Sequence, residues 1–150
     1  YKLIFVIFYL LIHYQLFAFS NINDAFPNPD LKANEIVSLQ LKAMQQNDVN
    51  NRGIEITFRF ASPKNKVQTG PLSNFIKLVN NDAYHHLLNH HEVTFLDIKI
   101  VDDLAMQEVI IKTSKGTLKG FRFFLSKQKG KQYNNCWMTD AVIPFNVLKI

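Results

Sequence analysis

Histidine is the residue type whose spacing in this chain most directly suggests chemistry. Four of the five histidines fall within seven residues: His85, His86, His90 and His91. On a helix, His86 and His90 would share one face, a spacing that can chelate Zn²⁺ with a third ligand such as Glu92 or Asp82. Asn89, just before a predicted strand, indicates that any helix ends between the two. We therefore predict a solvated, partly packed loop and no metal site, with a pH-sensitive contact as the alternative.

Two strand carboxylates and one tyrosine could take part in proton transfer. Isomerisation of the ketosteroid-isomerase type needs a buried carboxylate base and a pair, a tyrosine and a protonated acid, that stabilises the oxyanion. Strand alternation places Asp97 on the same face as Lys99, and a solvent-side ion pair between the two explains the aspartate without catalysis. Asp140 shares a face with Met138, and Tyr84 lies near a helix end. We predict no catalytic residue: Asp140 is the candidate to test, but a structural hydrogen bond or a strand-edge charge also explains it.

Other catalytic and cofactor-binding patterns are absent from the sequence. No Gly-x-Ser-x-Gly motif occurs, and the single cysteine, Cys136, has no nucleophile motif beside it. The five glycines form neither a Gly-x-Gly-x-x-Gly pattern nor a phosphate-binding loop. The sequence therefore predicts no cofactor.

The charge pattern argues against a nucleic-acid partner. The net charge is +5, but the basic residues are mostly scattered lysines. The one dense stretch is Lys127, Lys129 and Lys131 around Gly130, which is typical of a solvated hairpin tip. We expect the partner to be a small apolar molecule or another protein.

The first twenty residues have the pattern of a signal peptide. Residues 3–12 are an unbroken apolar run, preceded by Lys2 and followed by the small-x-small sequence Ala18-Phe19-Ser20. We predict a signal peptide at 1–20, an exposed lead-in and helix start at 21–33, and a single domain at 34–150 that enters the secretory pathway. The alternative is a retained membrane anchor, and N-terminal sequencing of exported protein would separate the two.

Helices are predicted in the first half of the mature chain. Asn28 and Pro29 resemble a helix cap and first position, and apolar residues recur at helical spacing over 31–47 and 72–79. Continuation of the second helix through Tyr84 to Leu88, after the interruption at 80–82, is the alternative. Residues 54–60 fit two patterns, since strict alternation favours a strand while Ile54, Phe58 and Ala61 match a helical stripe. Residues 64–70 are predicted to be a polar loop.

Strands are predicted in the second half, at 93–101, 106–113, 117–126 and 136–142, separated by turn signals. Phe121, Phe123 and Leu125 share one strand face, opposite Arg122 and Phe124. Helices followed by antiparallel strands predict an α+β domain in which the helices pack on one face of a sheet of about four strands.

Several segments resemble a known family, domain of unknown function 4864. They are Phe58-Arg59-Phe60-Ala61-Ser62-Pro63, Gly70-Pro71-Leu72-Ser73-Asn74-Phe75 with Lys77-Leu78-Val79, and Trp137-Met138-Thr139-Asp140-Ala141-Val142. The family is similar in architecture to nuclear transport factor 2-like proteins, which implies a cone-shaped α+β fold with a curved sheet around a helix-lined pocket. The resemblance also implies that residues 54–61 are helical.

The family has no assigned activity, so the resemblance implies a domain of unknown function. We expect a non-enzymatic binding module with an apolar pocket or sheet face; the alternative is a small-molecule isomerase or dehydratase of the ketosteroid-isomerase-like type. At the open end of such a cone, the predicted pocket residues are Gln40, Tyr84, Phe124 and Trp137, which combine apolar bodies with a few polar tips.

Overall fold

A computed structural model describes residues 21–148, which fold as helices followed by strands. The helices are α1 (Ala33–Gln45), α2 (Arg52–Arg59), α3 (Pro63–Thr69) and α4 (Leu72–Val79), with short 3-10 helices at Ile22–Asp24 and His85–Leu87. The strands are β1 (Glu92–Phe95), β2 (Lys99–Val101), β3 (Leu104–Lys112), β4 (Leu118–Lys127) and β5 (Trp137–Phe145). The predicted signal peptide lies outside the described residues. Between residues 21 and 148, no helix is long and apolar enough to cross a membrane.

Helix α1 begins later than the Asn28-Pro29 signal predicted. The Asn28 side-chain oxygen accepts a hydrogen bond from the Asp30 N–H at 3.0 Å and so closes a turn before the helix. The helix start is stabilised instead by Glu35, whose carboxylate accepts from the backbone N–H of Lys32 at 2.7 Å. The predicted apolar face of α1 is buried in the core.

Helix α2 settles the ambiguous segment in favour of the helix that the family resemblance implied. Ile54 and Ile56 are both buried because α2 packs against α1 on one side and α4 on the other, so apolar residues are needed on more than one face. This double burial produces the strand-like alternation. Gly53 permits the close packing, because a Cβ there would collide with the backbone oxygen of Ala43.

The polar segment predicted as a loop is helix α3. The Ser62-Pro63 pair, interpreted as the end of a segment, is a helix start: Pro63 occupies the first turn and the Ser62 hydroxyl accepts from the Asn65 N–H at 3.2 Å. No residue of α3 is fully buried. Its sequence therefore lacks the apolar stripe by which a helix is recognised.

The strands form one open antiparallel sheet in the order β1-β3-β4-β5. The first predicted strand is divided into β1 and β2, which pair with opposite ends of β3, so the sheet has five strands where about four were predicted. Phe121, Phe123 and Leu125 are buried against the helices, and Arg122 and Phe124 face away, as alternation predicted. The α+β class is confirmed; the cone shape stays a prediction.

Candidate functional site

A cavity of about 210 Å³ lies between the helices and the strands β4 and β5. Most of its wall is apolar, and the apolar residues are Met44, Ala61, Phe75, Leu78, Val79, Leu87, Phe123, Ala141, Val142 and Ile143. The polar residues that line it are Gln40, Thr57, Asn65, Gln68, Thr69, Tyr84, Thr139 and Asp140. Every described helix from α1 to α4 contributes at least one of these residues. The cavity is therefore a product of the whole fold.

The polar floor of the cavity is a buried hydrogen-bond network centred on Gln40. The Thr139 hydroxyl donates to Gln40 Oε1 at 2.6 Å, and Gln40 Nε2 donates to the backbone oxygen of Thr57 at 3.1 Å. The Thr57 hydroxyl donates in turn to the Gly53 oxygen at 2.9 Å. Gln40 and Thr139 are 2% and 1% exposed, so both side chains need these partners. The sequence predicted Gln40 here, and the structure supplies the partner that a buried amide requires.

Thr139 also joins the sheet to the segment that links α2 and α3. Its N–H donates to the Phe60 oxygen and its oxygen accepts from the Ser62 N–H, both at 2.8 Å, which makes a short parallel bridge beside β5. Asn65 Nδ2 donates to the same oxygen at 3.1 Å. Two of the segments that resemble the family, Phe58-to-Pro63 and Trp137-to-Val142, therefore meet at one point beside the cavity.

Asp140 lies at an irregularity of β5. Phe124 pairs with Ala141 and the next residue, Leu125, pairs with Thr139, so Asp140 is an extra residue that forms a β-bulge. Asp140 is partly exposed and lines the cavity. Within residues 21–148, its carboxylate takes part in no hydrogen bond and no ion pair. The bulge is invisible in the sequence, because it depends on which residues face each other across the strands.

Tyr84 lines the cavity with its hydroxyl already engaged. The hydroxyl donates to the backbone oxygen of Val142 at 2.9 Å, and the ring stacks on Phe121 at 6.4 Å between centroids. Partial burial raises the pKa of Tyr84, so the phenol is neutral. Among the described lining residues, Asp140 is the one carboxyl group. One carboxyl group cannot serve both as the base and as the protonated acid of the isomerase pattern, and the Tyr84 proton is already donated to Val142.

Two of the predicted pocket residues lie elsewhere. Phe124 is 38% exposed on the face of the sheet that the helices leave uncovered, since its neighbours Phe123 and Leu125 point inward. Trp137 is 8% exposed and packs in the core, with Lys127 Nζ 5.3 Å above its ring. Neither lines the cavity.

The predicted ion pair between Asp97 and Lys99 is also wrong, since no such pair exists in the part of the chain that the structure describes. Asp97 lies at a shallow outer groove between β1 and β2. Asp97 does not line the cavity.

The histidines lie in the turns before β1. The His86 ring packs against the His85 ring in a tilted arrangement, with centroids 3.9 Å apart, and His90 Nδ1 donates to the Leu87 oxygen at 2.8 Å. Burial lowers the pKa of both His86 and His90. The described residues contain no group of three or more metal-ligating side chains. A short 3-10 helix, not an α-helix, carries this segment, so His86 and His90 do not occupy successive turns of one helix.

Sequence reasoning missed several residues of the site. Asn65 and Thr69 lie four residues apart on α3, with the Thr69 hydroxyl donating to the Asn65 backbone oxygen at 3.0 Å. The spacing of four residues indicates a shared helix face only if Ser62-Pro63 is interpreted as a helix start. Thr139 lies within the segment Trp137-to-Val142, which resembles the family, and it directly follows the apolar pair Trp137-Met138. A polar residue at that position was the signal that could have identified it.

Comparison with known proteins gives one match. A family model described as Domain of unknown function (DUF4864) covers residues 28–145, and the chain therefore belongs to this family. No curated protein and no solved structure matches the chain.

Proposed function

We propose that this member of the DUF4864 family binds a small, largely apolar molecule in the cavity between its helices and β5, without transforming it. The observation that supports this most is the preformed cavity, with an apolar wall and a floor whose polar groups already bond to one another. Ligand pockets are typically apolar concavities with a few fixed polar groups. The cavity has both properties.

The volume limits the size of the ligand. An engineered apolar cavity of about 150 Å³ binds benzene. The present cavity, at about 210 Å³, suits a compound with one ring and a short chain. Larger ligands would have to extend through the rim that α3 forms.

Proton-transfer chemistry has less support. An isomerase or dehydratase needs an acid and a base at the reacting atoms, or an oxyanion partner. Asp140 is the one carboxyl group that lines the cavity within the described chain, and the Tyr84 hydroxyl is bonded to Val142. A binding role needs no second acid.

Blocking the rim tests the proposal. Gln68 is exposed on α3 and lines the cavity, so Gln68→Trp places an indole at the entrance with little cost to the fold. Val67→Trp is the matched control, because Val67 is 86% exposed on the same helix and does not line the cavity. The neutral probe is phenylbutanol, followed by chemical-shift titration.

We expect the wild-type protein and Val67→Trp to bind phenylbutanol with equal affinity and to shift the same cavity resonances. Gln68→Trp should bind it at least about tenfold more weakly. Equal binding by both variants would show that the probe binds elsewhere. Absence of binding to the wild-type protein by this probe and by its charged analogues would overturn the proposed function.

A further inference from the structure

The cavity has a charge that its apolar wall does not explain. Asp140 is the only acidic residue among its lining residues, and no Lys, Arg or His of the described chain lines it. None of the four ion pairs among the described residues involves Asp140. A carboxylate at the edge of an apolar space, with no cation of its own protein beside it, leaves the cavity electrostatically negative.

The bulge fixes this carboxylate at the cavity wall. Thr139, just before Asp140, is held by hydrogen bonds from Ser62 and Asn65 and by its own bonds to Gln40 and Phe60. The backbone next to Asp140 is therefore rigidly placed. Because an aspartate side chain is short, its carboxylate stays close to that backbone and cannot move far from the cavity.

Aromatic rings line the same cavity. Phe75, Phe123 and Tyr84 come from α4, β4 and the turn before β1. Aromatic faces attract cations as well as apolar groups, and a carboxylate beside them adds a direct partner for an ammonium group. An anionic ligand would meet no positive side chain in this lining and would be repelled by Asp140.

We propose that the ligand of this cavity is an amine: a protonated amino group pairs with Asp140, and an apolar body fills the space against the aromatic and aliphatic wall. This inference rests on the proposed binding function and specifies its ligand class. The Gln40 amide already bonds to Thr139 and Thr57, and Gln68 carries no charge, so Asp140 is the lining group that can form an ion pair with the ligand.

Three probes of equal length separate charge from apolar burial: phenylbutylamine, phenylbutanol and phenylbutanoate. Calorimetric titration at neutral pH and low salt measures the affinity of each probe for the wild-type protein, for Asp140→Asn and for the control Asp97→Asn. Both substitutions remove one negative charge, but Asp97 does not line the cavity. Thermal unfolding confirms that each variant is folded before titration.

For wild-type protein and Asp97→Asn, we expect the amine to bind about tenfold more tightly than the alcohol, and the carboxylate more weakly than the alcohol. Asp140→Asn should bind amine and alcohol equally, while its affinity for the alcohol stays unchanged. The amine preference should also weaken with added salt, because Asp140 is partly exposed.

The outcomes distinguish the two proposals. Equal affinity of wild-type protein for amine and alcohol would overturn the amine inference and leave the binding function standing. If Asp97→Asn abolishes the preference for the amine as fully as Asp140→Asn does, the preference comes from the net charge of the protein, and the inference is also overturned. Failure of all three probes to bind would overturn the binding function itself.

Discussion

The hydrogen bond from Thr139 to Gln40 should contribute measurably to stability, and Thr139→Val removes it with little change in shape. The bond is 2.6 Å long and both residues are buried. After the substitution, Gln40 Oε1 loses its donor, and a buried group without a partner costs about 1–3 kcal/mol. Both residues also line the cavity, where a water molecule can hydrogen-bond to the Gln40 amide after the substitution. We therefore expect a loss of about 1–2 kcal/mol in the free energy of unfolding.

A double-mutant cycle isolates the bond. Gln40→Leu removes the acceptor and leaves the Thr139 hydroxyl unpaired, whereas the Thr57 oxygen still accepts from the Phe60 N–H at 3.1 Å. Each single variant therefore loses the same bond and leaves one of its groups without a partner. The double variant leaves neither, so it should cost less than the sum of the single variants by about 1 kcal/mol or more.

Urea unfolding followed by far-ultraviolet circular dichroism measures the four free energies, provided that the transitions are two-state. Thr94→Val is the control for removing a strand hydroxyl, because Thr94 is exposed on β1, and it should change stability by less than about 0.5 kcal/mol. Additivity of the two core substitutions within about 0.3 kcal/mol would refute the coupling that the geometry indicates.

Two further predictions concern the core and the histidines. Trp137→Ala should lower the free energy of unfolding by roughly 3–5 kcal/mol, because the ring is buried, and a loss below about 1 kcal/mol in urea unfolding would contradict that burial. Burial lowers the pKa of His90 below the ordinary value of 6.5, despite the bond to Leu87, so the unfolded chain takes up the proton first. The stability that His90 contributes is complete above that value and declines as the pH falls below it. In urea titrations from about pH 7 to about pH 5, the free energy of unfolding of His90→Gln should therefore decline less than that of the wild-type protein. An equal decline would show that protonation of His90 does not contribute to it.

The sequence predicted best those elements that are buried along one face. The helix predicted from residue 72 forms α4, which ends at Val79 without the continuation to residue 88 that the sequence left open; its buried residues Phe75 and Val79 lie on one side. Helix α2 was ambiguous because it is enclosed by two helices, and α3 was missed because it buries no residue fully. The pattern of apolar residues reports burial, and it identifies an element only where burial is one-sided.

The candidate site was predicted in part for a related reason. Gln40 and Tyr84 line the cavity, whereas Phe124 does not, although alternation had already separated Phe124 from the inward-facing Phe123. The position of Asp140 depends on a bulge, and a bulge is set by pairing between β4 and β5. Such pairing leaves no mark within either strand's own sequence.

The contacts of Thr139 have a consequence for how the chain folds. Its hydrogen bonds reach Asn65, 74 residues earlier, and Gln40, 99 residues earlier. Contacts between such distant positions cost much loop-closure entropy and slow the rate-limiting step of folding. The helices alone cannot complete the floor of the cavity, since the Thr139 hydroxyl at its centre belongs to β5, which follows all four helices in the chain. During refolding, helical circular dichroism should therefore recover before the capacity to bind a cavity ligand.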